Sequence, residues 1–430
     1  MTTAKKNRID SGREPILSDE PLLDLVQRQS FLYFWDGAHP ASGLARDRVD
    51  LLSDPTDDIV TIGGSGFGVM AIIVATQRRW ITREDALARV ALMLDLLERA
   101  TCYHGVFPHF MNGRTGATKP FNRKDDGGDL VETSLLFQGL LCARQYFDRD
   151  APAEKSLRDR ITSLWRDVEW SWHRRDGSSV LTWHWSPNNG FALAHEIRGW
   201  NECLLSYVLA AGAPLYAIDP KVYHEGWAQG RDFLNGHRYY DIELPLGPAF
   251  GGPLHFAHYS FCGLDPRGLS DRYADYWRQN RRHVLINFEH CVLNPGHHKG
   301  YGPRCWGLAA SDDPGGYYVH TPDDDNGVIA PTAALSSFPY APEAANRAMR
   351  YFYDVVGDRL WGRFGFTDAF SEDADWFAKT YLAIDQGPIV IMIENHRTAL
   401  LWSLFMKDPD VQLGLRRLGF QSPHLNRDQR

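Results

Sequence analysis

Apolar residues recur along this chain in two different rhythms. Over 82–100, Ala86, Val90, Met93, Leu94 and Leu97 fall at helical spacing and leave one wet face. Thr82 followed by Asp85 makes a capping-box-like start to that helix. Residues 66–80 and 129–146 are instead apolar nearly all round, and a helix with no polar face must be enclosed by other elements. The same reading predicts helices over 20–35, 153–172, 197–211, 223–233, 271–291, 342–356 and 388–405. Strand-like stretches are short, with 180–185 and 364–366 the clearest, and βα alternation is absent. That argues against a doubly wound sheet or a βα barrel. Enclosed helices alternating with amphipathic ones predict an inner ring wrapped by an outer ring, an all-α toroid with short β-hairpins in its loops. In such a ring the starts of the inner helices share one open mouth. The Gly-, Pro- and aromatic-rich loops 247–266 and 294–331 are expected to wall a cleft there.

No Ser/Gly/Pro-rich linker or charge block divides the 430 residues, so one domain is expected over 17–422, between a polar arm at 1–16 and a tail at 423–430. The net charge of −8 and pI near 6.1 argue against nucleic acid or an anionic membrane as partner. No apolar run is long enough to span a bilayer. The basic start is not followed by an apolar signal region, so the chain as it stands is expected in the cytoplasm, or in the periplasm if a leader was removed. A monomer or weak homo-oligomer is expected. Six scattered cysteines show neither paired nor zinc-like spacing and are expected as buried free thiols. Trp183-His184-Trp185 and Gly316-Tyr317-Tyr318 set aromatic rings beside polar groups in loop-like stretches. Such rings suit sugars, which have apolar C–H faces and hydroxyl edges; the alternative is plain core filling.

Several familiar motifs fail on inspection. Gly63-Gly64-Ser65-Gly66-Phe67-Gly68 is neither a P-loop nor a dinucleotide fingerprint, and Phe67 breaks the nucleophile-elbow pattern. It reads as a tight entry into a buried helix. His195-Glu196 lacks a zincin's second histidine, His297-His298 has no partner at metal spacing, and Asp323-Asp324-Asp325-Asn326-Gly327 lacks a calcium loop's register.

The carboxylates carry more information. Asp129 and Glu132 share a face at the start of an enclosed helix, after the polar loop 122–128. Glu202 opens another apolar stretch, Asp385 immediately precedes a third, and Glu394 is embedded in apolar sequence, where Arg397 is its candidate partner. Asp129 and Asp385 could simply cap their helices. In a toroid, however, these starts converge on one mouth. There a crowded carboxyl can hold a proton while a second, ionised one activates water, the pair that glycoside hydrolysis requires.

Seven strings carry a resemblance to a known family. They are Gly105-Val106-Phe107-Pro108-His109-Phe110, Asp129-Leu130-Val131-Glu132-Thr133, Arg198-Gly199-Trp200-Asn201-Glu202, Trp306-Gly307-Leu308-Ala309-Ala310-Ser311-Asp312, Ile329-Ala330-Pro331-Thr332-Ala333-Ala334, the run from Trp361 to Phe370, and Ile384-Asp385-Gln386-Gly387-Pro388. In this order they resemble the glucoamylase-like domain of bacterial β-1,2-glucanases, glycoside hydrolase family 144, related to a domain of cyclic β-1,2-glucan synthases. The resemblance runs from about Leu22 to Gly419. It implies an (α/α)6 fold and hydrolysis of β-1,2-linked glucan or sophoro-oligosaccharides with inversion, without metal or cofactor. It implies Glu202 as general acid and Asp385 as base, with Asp368 the alternative base. Asp129 and Glu132 match acids lining the cleft, and His109, Arg198, Trp200, Trp306, Asp312, Tyr317 and Tyr340 fall on positions expected to meet the sugar. Transglycosylation, another glucan linkage, and glycan binding without turnover are the competing readings.

Overall fold

The computed structural model describes residues 17–52 and 57–425. The arm expected over 1–16 and the last five residues of the expected tail lie outside them. Pro423, His424 and Leu425 are described, and His424 Nε2 sits 2.9 Å from Asp265 Oδ2.

Among the described residues the helices are α1 Asp19–Trp35, α2 Ile62–Gln77, α3 Arg83–Leu97, α4 Leu130–Tyr146, α5 Pro152–Asp167, α6 Leu204–Gly212 and α7 Tyr276–Leu293. They continue with α8 Pro331–Leu335, α9 Pro342–Asp354, α10 Gly357–Leu360, α11 Ala383–Thr398, α12 Leu400–Lys407 and α13 Pro409–Arg417. Strands are two to four residues long and pair antiparallel in small hairpins and bridges. None of the described helices is long and apolar enough to cross a membrane.

The alternation read from the sequence is the architecture. Every residue of α6 and of α8 is buried, as is nearly every residue of α2, α4 and α11, and these form the inner ring. α2 packs between α4 and α11, α4 continues to α6, and α11 continues to α8. The outer helices α1, α3, α5, α7 and α9 are each buried on one face only. The sixth pair departs from expectation. Residues 223–233 form a π turn, Val222–Gly226, and a 3₁₀ turn, Trp227–Gln229, rather than an α-helix. Its inner partner comes from the segment expected to be a cleft wall, which folds inward as 3₁₀ turns Leu254–Ala257 and Ser260–Cys262. Leu254, Phe261, Cys262 and Leu264 are fully buried there. Side-chain amides serve the carbonyls that a regular helix would have paired: Gln138 donates to Tyr259 and Ser260, and Asn395 to Cys262. The described residues form an α/α toroid of six pairs, one of them irregular.

Other boundaries move for local reasons. α6 begins at Leu204 because Arg198 to Asn201 run as an extended turn with Gly199 at φ +75°. The apolar stretch at 388–405 is cut at Ala399, φ +58°, into α11 and α12. Glu394 pairs with Arg78, at 2.7 Å, instead of Arg397, which reaches Asp24, Glu20 and Gln27. Cys102 is exposed; the other five thiols are buried.

The glycine run at 63–68 explains how tightly the inner ring closes. A Cβ on Gly66 would lie 2.1 Å from Leu135 O, and one on Gly139 2.1 Å from Gly66 O, so α2 and α4 touch backbone to backbone. A Cβ on Gly64 would meet Ala383 at 2.5 Å, which sets α11 against the other flank. Backbone atoms cannot yield as a flexible side chain can. Gly66→Ala is expected to destabilise the protein by about 3 kcal/mol, read as a lower midpoint in denaturant unfolding at unchanged slope. The ring is also fastened at its far end, where Arg144 holds Asp408, fully buried, at 2.7 Å and Asp410 at 2.7 Å.

Candidate active site

Because the inner helices all enter from one end, their first turns converge. Asp129 caps α4: its Oδ1 accepts from the N–H groups of Val131 (3.0 Å) and Glu132 (2.9 Å). The other oxygen faces two histidines, His109 Nδ1 at 3.1 Å and His184 Nε2 at 3.5 Å. His184 arrives because residues Gly128–Asp129 pair antiparallel with His184–Trp185, which puts it directly opposite Asp129. Glu132 Oε2 accepts from the N–H of Gly63 (2.7 Å) and from the Thr61 hydroxyl (3.3 Å), tying α4 to the entry of α2.

Charge in this cluster is strongly polarised. Burial alone would lower the His109 pKa, but Glu132 and Asp129 override it and raise it to about 10, so His109 is an imidazolium at neutral pH. Burial likewise pushes Asp129 up, yet its hydrogen bonds to His109 and His184 hold it far below the usual carboxylate range. Asp129 is therefore ionised. Glu132 is raised by burial, which outweighs the opposing charge of His109.

Glu202 lies in the turn just before α6 and differs in kind. His255 Nε2 lies 3.9 Å from its Oε2. Burial drives His255 down to a pKa of about 3, so it is neutral and offers no counter-charge. Burial first, then the fields of Asp129 and Glu132, raise Glu202 to about 7. Its side chain keeps 16% exposure, enough to reach a ligand in the mouth. The turn is fixed by Ser260, whose hydroxyl donates to the Glu202 carbonyl and accepts from Leu205 N–H.

A third group of acids gathers at the first turn of α11. The Asp385 and Asp368 carboxyls lie within hydrogen-bonding reach of one another. Burial and the Asp368 charge raise Asp385 well above its normal value, and burial with the Asp312 charge takes Asp368 to about 7. Two carboxyls this close share a proton. Asp368 Oδ2 accepts from the Asp312 N–H at 2.7 Å, and the Asp312 carboxylate is clamped by Arg48 and Thr380. Arg48 reaches this point because Arg48–Asp50 pairs with Thr380–Leu382, immediately before α11. Tyr317 lies opposite Asp312 in the hairpin Ala310–Val319 and is half exposed. The Asp385 and Asp368 charges both act on its hydroxyl. Burial first, then the charges of Asp385 and, more weakly, Glu202, raise the Tyr259 hydroxyl.

Of the residues expected to meet sugar, the structure brings His109, Asp129, Glu132, Glu202, Asp312, Tyr317 and Asp385 to this mouth, with Asp368. Three others are core. Trp306 is fully buried, its Nε1 donating to Ala344 O at 3.1 Å. Tyr340 is 2% exposed, with its hydroxyl on Ala257 O and Asn280. Trp200 is 2% exposed, packed among Trp227, Phe261 and Tyr276. They have no open ring face because they stand beneath the loops, not in front of them. Arg198 is bound to Glu196 at 2.6 Å and to Gly226 O. Arg48, His184, His255 and Tyr259 join the site without having been singled out as site residues; of these only His184 carried a signal, in Trp183-His184-Trp185. Asp125, Asp129 and His184 bring possible ligand atoms within 4.8 Å of one another, but the Asp129 oxygens already face two amides and two imidazoles.

Comparison with known proteins places the chain and its fold in a known family. The family model described as "Putative glucoamylase" matches residues 194–409. An endo-β-1,2-glucanase from Chitinophaga pinensis, solved with sophorotriose and glucose, is 50% identical, superposes with a TM-score of 0.93, and is covered over 100% of its chain by 95% of this one. An exo β-1,2-glucooligosaccharide sophorohydrolase (non-reducing end) from Parabacteroides distasonis is 44% identical over 423 residues, 94% of this chain; the chain spans 58% of that protein's length. An endo-β-1,2-glucanase from Talaromyces funiculosus, 10% identical, shares the fold alone, with a TM-score of 0.66 over 92% of this chain and 86% of its own. With the model matching half the chain and the toroid matching throughout, this protein belongs to the glucoamylase family so described.

Proposed function

We propose that the protein hydrolyses β-1,2-linked glucan or sophoro-oligosaccharides with inversion, Glu202 acting as general acid and Asp385, hydrogen-bonded to Asp368, as general base. One observation carries this reading: acids in a single mouth whose surroundings drive their protonation apart. Glu202 faces a neutral histidine and holds its proton to about pH 7, while Asp129 beside it is fixed as an anion by imidazolium. Such surroundings suit Glu202 to the acid role, and the Asp385–Asp368 pair, holding one proton between two carboxyls, keeps a carboxylate that can accept another. The proton of Glu202 goes to the departing glycosidic oxygen. The Asp385–Asp368 pair, holding one proton and one negative charge, takes the proton of the attacking water and becomes neutral; before that step the Asp312 N–H steadies its negative charge. The linkage is supported by the β-1,2-glucanase and sophorohydrolase relatives.

The test is a panel of glucans differing only in linkage, with products sized by chromatography. β-1,2-glucan and sophoro-oligosaccharides should be cleaved, and β-1,3- and α-1,4-glucans left intact. Cleavage of another linkage in preference would refute the substrate assignment, and products longer than the substrate would indicate transfer instead of hydrolysis. A pH dependence follows with a definite sign. The acid works only while protonated, so kcat/KM should fall as pH rises through about 7, approaching about tenfold per unit.

A further inference from the structure

The Trp183-His184-Trp185 string is only partly used by the acids. His184 turns to Asp129, whereas Trp185 turns the other way, toward the rim of the mouth, and meets Tyr103 and His104. Beyond them stands Trp172, in the 3₁₀ turn Trp170–His173 that follows α5. Its ring stacks on His104 with centroids 3.8 Å apart and planes 16° from parallel. Trp185 stands at 75° to it, its centroid 6.2 Å away. Yet Trp172 remains 42% exposed. With one face covered by His104 and Trp185 set edgewise, that exposed area is the opposite indole face and its rim.

The support beneath this ring is rigid. His104 Nδ1 is held by Glu169 Oε2 at 2.9 Å. The adjoining Gly105, φ +74°, packs so closely that a Cβ there would lie 2.0 Å from Asp167 O. A tryptophan exposed through folding imperfection would not need a stacked, hydrogen-bonded imidazole on a pinned turn to keep it flat. An open indole face bordered by polar groups suits the C–H face of a pyranose, and it continues from the acid cluster through two adjacent residues of one strand.

We infer that Trp172, backed by His104 and flanked by Trp185, forms an outlying glucosyl-binding platform that holds substrate chains too long to be accommodated at the acids alone. The inference rests on the glucan-hydrolase reading above. Its consequence is a chain-length preference: the platform adds affinity only for sugars that extend past the acid cluster.

The experiment compares kcat/KM for long linear β-1,2-glucan with that for sophorotriose, in wild type, Trp172→Ala and Trp172→Phe. Trp172→Ala should lower the polymer-to-trisaccharide ratio about tenfold, mainly through a higher KM for polymer, and Trp172→Phe should restore most of it. Direct binding of long glucan in a Glu202→Gln background should weaken to the same degree when Trp172→Ala is added. An unchanged ratio with unchanged binding would overturn the platform, as would an equal loss on both substrates. Sedimentation of the Trp172→Ala variant showing loss of a dimer would instead assign the exposed indole to a second copy of this chain and likewise overturn it. If wild type cleaves no β-1,2-glucan at all, the functional reading fails first, and the two failures are thereby told apart.

Discussion

Glu202→Gln is expected to lower kcat by about 10³-fold or more while leaving the affinity for substrate nearly unchanged. Near neutral pH Glu202 carries its proton through much of the population, so glutamine reproduces its shape and hydrogen-bonding but cannot release a proton to the leaving oxygen. The change adds no buried charge, and His255 beside it is already neutral, so folding should be preserved. The upper limb of the pH profile should vanish with the residue that sets it. Steady-state kinetics together with binding of an oligosaccharide checks this. A variant with near-normal turnover would remove Glu202 from the acid role, and one with lost binding and normal kcat would make it a positioning residue.

Asp385→Asn should have the second-largest effect, a fall in kcat of about 10³-fold, because the pair it leaves behind can no longer take up the proton of the attacking water. Asp368→Asn is the informative partner. It removes a charge that raises Asp385 but leaves Asp385 itself in place, so a smaller loss is expected, about 10- to 100-fold, with the acidic limb of the profile moved to lower pH. The reverse ranking would transfer the base role to Asp368. The Arg48–Asp312 clamp enters this comparison indirectly, through the N–H that Asp312 gives to Asp368 Oδ2.

How much of this was legible before any coordinates follows from how locally each feature is encoded. α2 and α4 have no polar face, so their burial could be read directly, and Thr82–Asp85 marked the start of α3, where Thr82 does accept from Asp85 N–H. The irregular sixth pair could not be read this way. Its inner run of turns, 254–262, has the Gly, Pro and aromatic content of a surface loop, and side chains distant in sequence, Gln138, Tyr340, Asn395 and Trp402 among them, make it a core element. Helix-start carboxylates were legible as a class because Asp129, Glu202 and Asp385 each precede apolar sequence. Their partners were not: Arg48 meets Asp312 from 264 positions away, and His184 reaches Asp129 through strand pairing of residues with no alternating pattern. Trp306 and Tyr340 misled for the opposite reason. They sit in strings that define the family resemblance, but a string can be characteristic because it packs a loop base as readily as because it meets a sugar, and burial alone separates the two. Trp172 gave no signal, since one tryptophan after an amphipathic helix reads as its last apolar position.

Inverting hydrolysis of a β-1,2 linkage by paired carboxyls in one mouth fixes the configuration of the first product. Proton NMR of the reaction on β-1,2-glucan, followed from the first minutes, tests it most directly by reading the anomeric configuration at the newly formed reducing end. α-Anomer should appear first, with β-anomer growing in only by mutarotation. β-Anomer appearing first would mean retention and a covalent glycosyl intermediate, and would contradict the assignment of water activation to the Asp385–Asp368 pair.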